Sequence, residues 1–242
     1  MSFCKIPCNS VPNMLNEIVL IVFYIAILLY SVIIHEVAHG LAALKLGDTT
    51  AKYAGRLTAN PLKHLDMVGS FFAPLFMYLS FGFAFGWAKP VPYNPYNLKN
   101  QKWGPMIVAL AGPGINLVVA LAAALLARFI ALPINLKKDI VNNFNEWSTV
   151  SGLISGSVST IFYEILIIIV IINVFLAFFN LIPIPPLDGS KILFTFFPVR
   201  IEIQAMLEQF GFAILLFFIF FFSTPLRIFL GTAINTFLNI AI

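Results

Sequence analysis

His35, Glu36 and His39 share one stretch, Ile33-Ile34-His35-Glu36-Val37-Ala38-His39, in which two imidazoles stand four residues apart with a carboxylate beside the first. On a helix that spacing puts both rings on one face, about one turn from each other, so both can reach a single metal ion. Glu36 then lies where a base could work on a water held by that ion. The chain has three histidines, and two of them are here. A hydrolytic zinc usually takes three protein ligands and keeps a fourth place for water, so one more ligand must come from elsewhere. The candidates are His64 and the carboxylates. Asp188 stands out because it ends Asn180-Leu181-Ile182-Pro183-Ile184-Pro185-Pro186-Leu187-Asp188-Gly189, directly after an apolar run, and is the only acid between Glu164 and Glu202. A helix cap for a segment starting at Ser190 would account for the Asp, but not for the prolines before it.

The elements that must position these groups are apolar throughout. Of 242 residues, 60% are hydrophobic and 10% charged, and the mean hydropathy of +0.96 places the chain among integral membrane proteins. A bilayer core needs about 20 apolar residues per helix. Runs of that kind begin near Leu15 and pass through the histidines to Leu46, then recur at Met106–Leu132, Ile161–Leu181, Ala205–Phe222 and Leu226–Ile242. The expectation is an all-α polytopic protein with about five transmembrane helices, read as a single domain over 1–242. Its catalytic core covers about 15–197 and its C-terminal helices about 203–242. His35 falls roughly 26 Å along the first helix, near the far side of the hydrocarbon. A His and a Glu at that depth cost a few kcal/mol each unless paired, metal-bound or wet. The N-terminal run carries only Lys5 before it and reads as a retained span rather than a cleaved leader.

Charge patterning suggests the topology. Lys45, Lys52, Arg56 and Lys63 precede the apolar run Met67–Trp87, and Lys89, Lys99 and Lys102 follow it. A full span there would split these cations between the two faces of the membrane, against the positive-inside tendency. A segment that dips in and returns, turning near Pro74 or the glycines, keeps all seven on the cytoplasmic side. Irregular backbone at that depth must pack on protein or line a wet cavity, which puts this segment beside the active site. The net charge of +4 belongs to these span ends and not to a nucleic-acid surface. Cys4 and Cys8 lack a four-ligand zinc pattern and read as free thiols.

His-Glu-x-x-His on an early span, Ala111-Gly112-Pro113 followed by Asn116, and Asn180-x-x-Pro183-x-Pro185-x-Leu187-Asp188-Gly189 on a later one together resemble the site-2 protease family of intramembrane zinc metalloproteases. The resemblance covers most of the chain and fits the compact members, with no PDZ insertion and no nucleotide-sensing domain. It implies one Zn2+ held by His35, His39 and Asp188, and Glu36 as catalytic base. It also implies that Asn180, Pro183 and Pro185 help to hold an extended substrate, and that Gly86–Pro92 forms a membrane-associated hairpin beside the cleft. Sharing one zinc requires the spans that end near His39 and Asp188 to run parallel, which the re-entrant topology provides. The chemistry expected is peptide hydrolysis, with zinc lowering the pKa of its water toward about 7 and Glu36 moving the proton. The substrates implied are membrane-embedded proteins or peptides in a lipid bilayer, in a prokaryotic cell membrane, with the site toward the cytoplasm.

Two further polar residues have open roles. His64 could stabilise an oxyanion or simply brace a loop; Asn116 could bond a metal ligand or the tetrahedral intermediate, or serve as interhelical glue. Two rival functions remain at this level. A prenyl-protein type of membrane protease would draw its third ligand from a different pattern than Asp188-Gly189. A metal or ion transporter could use His35, Glu36, His39 and Asp188 as a midplane site, and replacing Glu36 separates it from a hydrolase. No oligomeric state follows from the sequence.

Overall fold

The helical residues of α1 (Met14–Lys45) stay in one element because the run contains no Pro, and its only Gly, Gly40, lies in the last turns. The computed structural model describes residues 14–81, 89–142 and 157–242, and no strand occurs among them. After α1 come a single turn, α2 (Thr50–Tyr53), and a π-helical turn (Met67–Phe72) that runs into α3 (Ala73–Phe81). Next are α4 (Gly104–Phe129), α5 (Ile134–Asn142), α6 (Val158–Asn180) and α7 (Asp188–Phe196). The described chain ends in α8 (Ile201–Gln209), α9 (Gly211–Phe221) and α10 (Ser223–Ala241). Ser157 caps α6, its side chain accepting from the Thr160 N–H.

Helix α4 lies at the centre. Its buried residues, among them Val108, Gly112, Asn116, Ala120, Ala124 and Ala127, recur at three- and four-residue spacing and are nearly all small. Small residues let backbones approach closely where lipid gives no hydrophobic drive between helices. Beyond Asn116 the alanines pack against Tyr163, Ile167, Val170 and Val174 of α6 and Leu238 and Ala241 of α10. On the other side, Ile27 of α1 packs on Ile168 and Ile172 of α6, and Ser31 meets Asn173 through a 2.9 Å hydrogen bond donated by the amide.

These pairings set directions. Ile27 and Ser31 meet residues 168–173, while the later His35 and His39 meet Asp188 beyond the end of α6. Helices α1 and α6 are therefore parallel, as sharing a metal requires. Ala43 packs with Val108, whereas the earlier His35 lies by Gly112, so α4 is antiparallel to both. The connection from α1 to α4 thus starts and finishes at the same end of the bundle. There the Lys99 N–H donates to the Leu46 carbonyl at 2.8 Å. That is the geometry expected of a segment that dips and returns. Pro74, one expected place for the turn, lies in the first turn of α3; Gly82, Gly86 and Trp87 lie outside the described residues.

Ile21–Lys45 of α1, α4 and α6 are long and apolar enough to cross a bilayer, and α8 with α9, bent by 64°, make a fourth if they form one span. The expected count of about five is approximate in that sense, the last apolar run falling in α10, which packs on α4 and α6. Ile21, Val22, Ile25 and Leu28 of α1 and Phe217, Phe220 and Phe221 of α9 face outward. Such an exterior suits hydrocarbon as its solvent.

Candidate metal centre and active site

Asp188 is the first residue of α7, and the loop Leu181–Leu187 swings it back under the end of α6. The turn is tight enough that Gly189 admits no side chain: a Cβ there would run into the carbonyl oxygens of Leu181 and Ile182. The start of α7 has no side-chain cap. The Asp188 carboxylate instead turns to α1, where Oδ2 lies 3.1 Å from His35 Nε2 and 3.1 Å from His39 Nε2. The two rings stand edge to face with centroids 4.6 Å apart. Gly112 of α4 makes room for them, since a Cβ on it would sit 2.6 Å from His35 Nε2 and closer still to His39 Nε2.

The donor set fits a metal. His39 Nδ1 is 2.7 Å from the Val108 carbonyl, so it carries the proton and donates it there. The lone pair of Nε2 is then left facing a carboxylate oxygen. Two electron-rich atoms at that distance call for a cation between them. Ligands on a tetrahedral zinc with bonds of 2.0–2.1 Å stand about 3.3 Å apart, close to the separations seen. Among the described residues, His35, His39 and Asp188 are the group of His, Cys, Asp or Glu side chains that could hold a metal ion. A backbone carbonyl fixing the tautomer of a ligand histidine is the usual outer support of such sites.

A cavity of about 170 Å³ opens on this group, walled by Glu36, Pro90, Val91, Tyr93, Asn180, Pro186 and Lys191 as well as the three candidate ligands. Glu36 Oε2 accepts the Val91 N–H at 2.9 Å, which ties the carboxylate to the strap 89–93. That strap is held in turn by Arg56, buried, whose guanidinium donates to the carbonyls of Lys63, Lys89 (2.7 Å) and Pro90 (3.3 Å). The Lys89 N–H donates to the His64 carbonyl at 2.9 Å.

Chain 1–242 thereby brings His35, Glu36, His39, Asp188 and Asn180 to one cavity. His64 stands apart: its ring is fully buried, with Nε2 donating to the Thr58 carbonyl at 2.8 Å, so it braces the loop that carries the strap. Asn116 is fully buried in α4, one turn below Gly112, and neither polar atom of its side chain has a partner among the described residues. Pro183 is exposed, and Pro185 is packed against Gly211, so Pro186 is the proline of this run that reaches the cavity. Tyr93 ends the expected hairpin around Trp87 to Tyr93 and does line the cavity. In the sequence Arg56 reads only as a topology charge, and nothing local marks Lys191. Lys191 lies one turn after Asp188 with its Nζ 5.0 Å from the Tyr93 ring centroid. Burial lowers its pKa, but the neighbouring Tyr93 and Asp188 outweigh that and raise it.

Comparison with known proteins gives the family. A family model for peptidase family M50 matches residues 23–218, which include all three candidate ligands and Glu36. The chain belongs to this family, the site-2 protease family. YwhC of Bacillus subtilis (strain 168), provisionally named a zinc metalloprotease, is 34% identical over 205 residues, or 84% of this chain and 81% of its own length. Rip2 of Mycolicibacterium smegmatis, provisionally named likewise, is 32% identical over 106 residues, or 44% of this chain and 40% of its own. No solved structure gives a significant match. As an M50 peptidase the chain is a zinc metalloendopeptidase.

Proposed function

We propose that this M50 peptidase hydrolyses peptide bonds within or beside transmembrane segments of membrane proteins, either in regulated cleavage or in clearing leftover signal peptides. The observation that carries the reading is the convergence of His35 Nε2, His39 Nε2 and Asp188 Oδ2 at the end of two parallel apolar helices, with Glu36 in the same cavity. A zinc ion held by these three residues supplies Lewis acidity and brings the pKa of a water toward about 7. Glu36 acts as general base, taking a proton from the attacking water and passing it to the leaving amine as the C–N bond breaks. Val91 orients Glu36 through its N–H. His39 is kept in its ligand tautomer by the Val108 carbonyl.

A transmembrane helix satisfies its backbone internally, so its peptide must unwind before attack. The strap 89–93 on one wall and Asn180 to Pro186 on the other suit an extended segment lying between them. The cations on the α1–α4 connection favour a cytoplasmic location for this end, and the bacterial relatives favour a prokaryotic membrane. The span of the family match favours one peptidase domain.

The test is Glu36→Gln in purified full-length protein. Cleavage of a single-span reporter should fall by at least about 10²-fold, while elemental analysis finds the same zinc per chain as in wild type. A reporter cut equally well by both proteins removes the assignment.

A further inference from the structure

Peptide hydrolysis moves negative charge, and the cavity has a side chain placed to receive it. As the water attacks, the carbonyl π bond breaks and its electron pair goes to oxygen, while the proton goes to Glu36. One unit of negative charge thus passes from Glu36 to the carbonyl oxygen with no change in the total. Preorganised positive groups at the point of arrival lower this barrier more than any other single device.

Of the residues that line the cavity, Lys191 is the one lysine or arginine; Glu36 and Asp188 are the two acids. Its place is set from two sides. On α7 it follows Asp188 by one turn, which puts both on the same face of the helix. Across the cavity the Tyr93 ring holds the ammonium at 5.0 Å, a cation–π contact that fixes the chain without neutralising it. The strap that carries Tyr93 also carries Val91, the partner of Glu36. Base and ammonium are therefore held by one strap, at positions two residues apart, and both line the same cavity.

We infer that Lys191 is a further catalytic residue, its Nζ binding the scissile carbonyl oxygen as it becomes an oxyanion, with Tyr93 as the positioning residue that aims it. This rests on the peptidase reading above. When the tetrahedral intermediate collapses, the oxygen's electron pair re-forms the carbonyl, the C–N bond breaks, and Glu36 returns the proton to the amine; Lys191 keeps its own protons throughout.

The test uses zinc-loaded, full-length protein in detergent, in the Glu36→Gln background so that nothing is consumed. Two ligands are compared: a peptide with its scissile amide intact, and the same peptide with a phosphinate at that bond, which carries the anionic oxygen. Adding Lys191→Gln should weaken the phosphinate by about 10²-fold, the scale of a lost oxyanion donor, and the amide peptide by less than about threefold. Lys191→Arg should recover most of the phosphinate affinity, with zinc content unchanged in every variant. Unchanged phosphinate affinity in Lys191→Gln overturns the inference, as does equal weakening of both ligands or loss of zinc in step with affinity. If the parent protein holds zinc but binds neither peptide, the peptidase reading itself fails and takes this role with it.

Discussion

Asp48 and Asp188 are two shielded carboxylates beside helix ends, and their partners separate scaffold from chemistry. Asp48, fully buried after α1, is surrounded by donors. Oδ1 accepts from the Thr50 N–H (3.1 Å), the Thr50 hydroxyl (2.5 Å) and the Asn97 amide (3.0 Å), and Oδ2 accepts from the Asn94 N–H (2.7 Å). It latches the end of α1 to the segment that leads into α4, and every bond is complete within the protein. Asp188 faces two imidazole nitrogens instead, one of which has its proton committed elsewhere. An acid surrounded by donors is finished, whereas an acid facing lone pairs needs a cation. Burial alone distinguishes nothing.

The comparison can be broken most sharply at Asp188. Asp188→Ala should abolish zinc retention and reporter cleavage while circular dichroism shows the helix content intact; zinc retained at the wild-type level would end the proposed ligand set. Gly112→Val comes next, since its branched side chain enters the space of both imidazoles. Zinc affinity, read by chelator competition, should fall by at least about 10-fold, with no acid or histidine removed.

Asp48→Asn should do the reverse, leaving zinc content and cleavage unchanged but lowering thermal stability by about 2–3 kcal/mol, the cost of losing charged hydrogen bonds in a buried place. Its pH dependence follows in sign. Burial raises the Asp48 carboxyl, but bonds from Thr50, Asn97 and Asn94 outweigh this and hold it below the ordinary value. The stabilisation is therefore fully present above about pH 4, the unfolded value, and is lost as pH falls through the lower folded one. Melting curves of the wild type should steepen in that acid range more than those of Asp48→Asn. The smallest effect belongs to Thr50→Val, which removes the hydroxyl bond but keeps the backbone one. It should cost about 1 kcal/mol and leave zinc untouched.

Much of the site was legible before the fold was known, for reasons particular to each residue. His35, Glu36 and His39 are visible because helical pitch is a local property and polar groups in an apolar run stand out. Asp188 is visible as a lone acid behind a proline-rich stop. Asp48, by contrast, reads only as the end of a helix, because its donors at 94 and 97 lie far along the chain. Arg56 reads as a topology charge because its acceptors are backbone carbonyls, which carry no sequence signature. Lys191 is silent for the same reason: its place depends on an aromatic ring across the cavity. His64 could be weighed for two roles, and the fold puts its ring in the loop that braces the strap.

The amino-acid order by itself pointed to the solvent and to the first half of the candidate metal site, since hydrophobic length and a four-residue spacing need no distant partner. Only the tertiary structure decided how that half is completed. Parallel packing of α1 and α6 around small residues of α4 brings Asp188 to the imidazoles, and the strap held by Arg56 brings Val91 to Glu36. Those contacts join residues far apart in sequence, and the close approach of backbones that makes them is a property of the packed helices together and of no single segment.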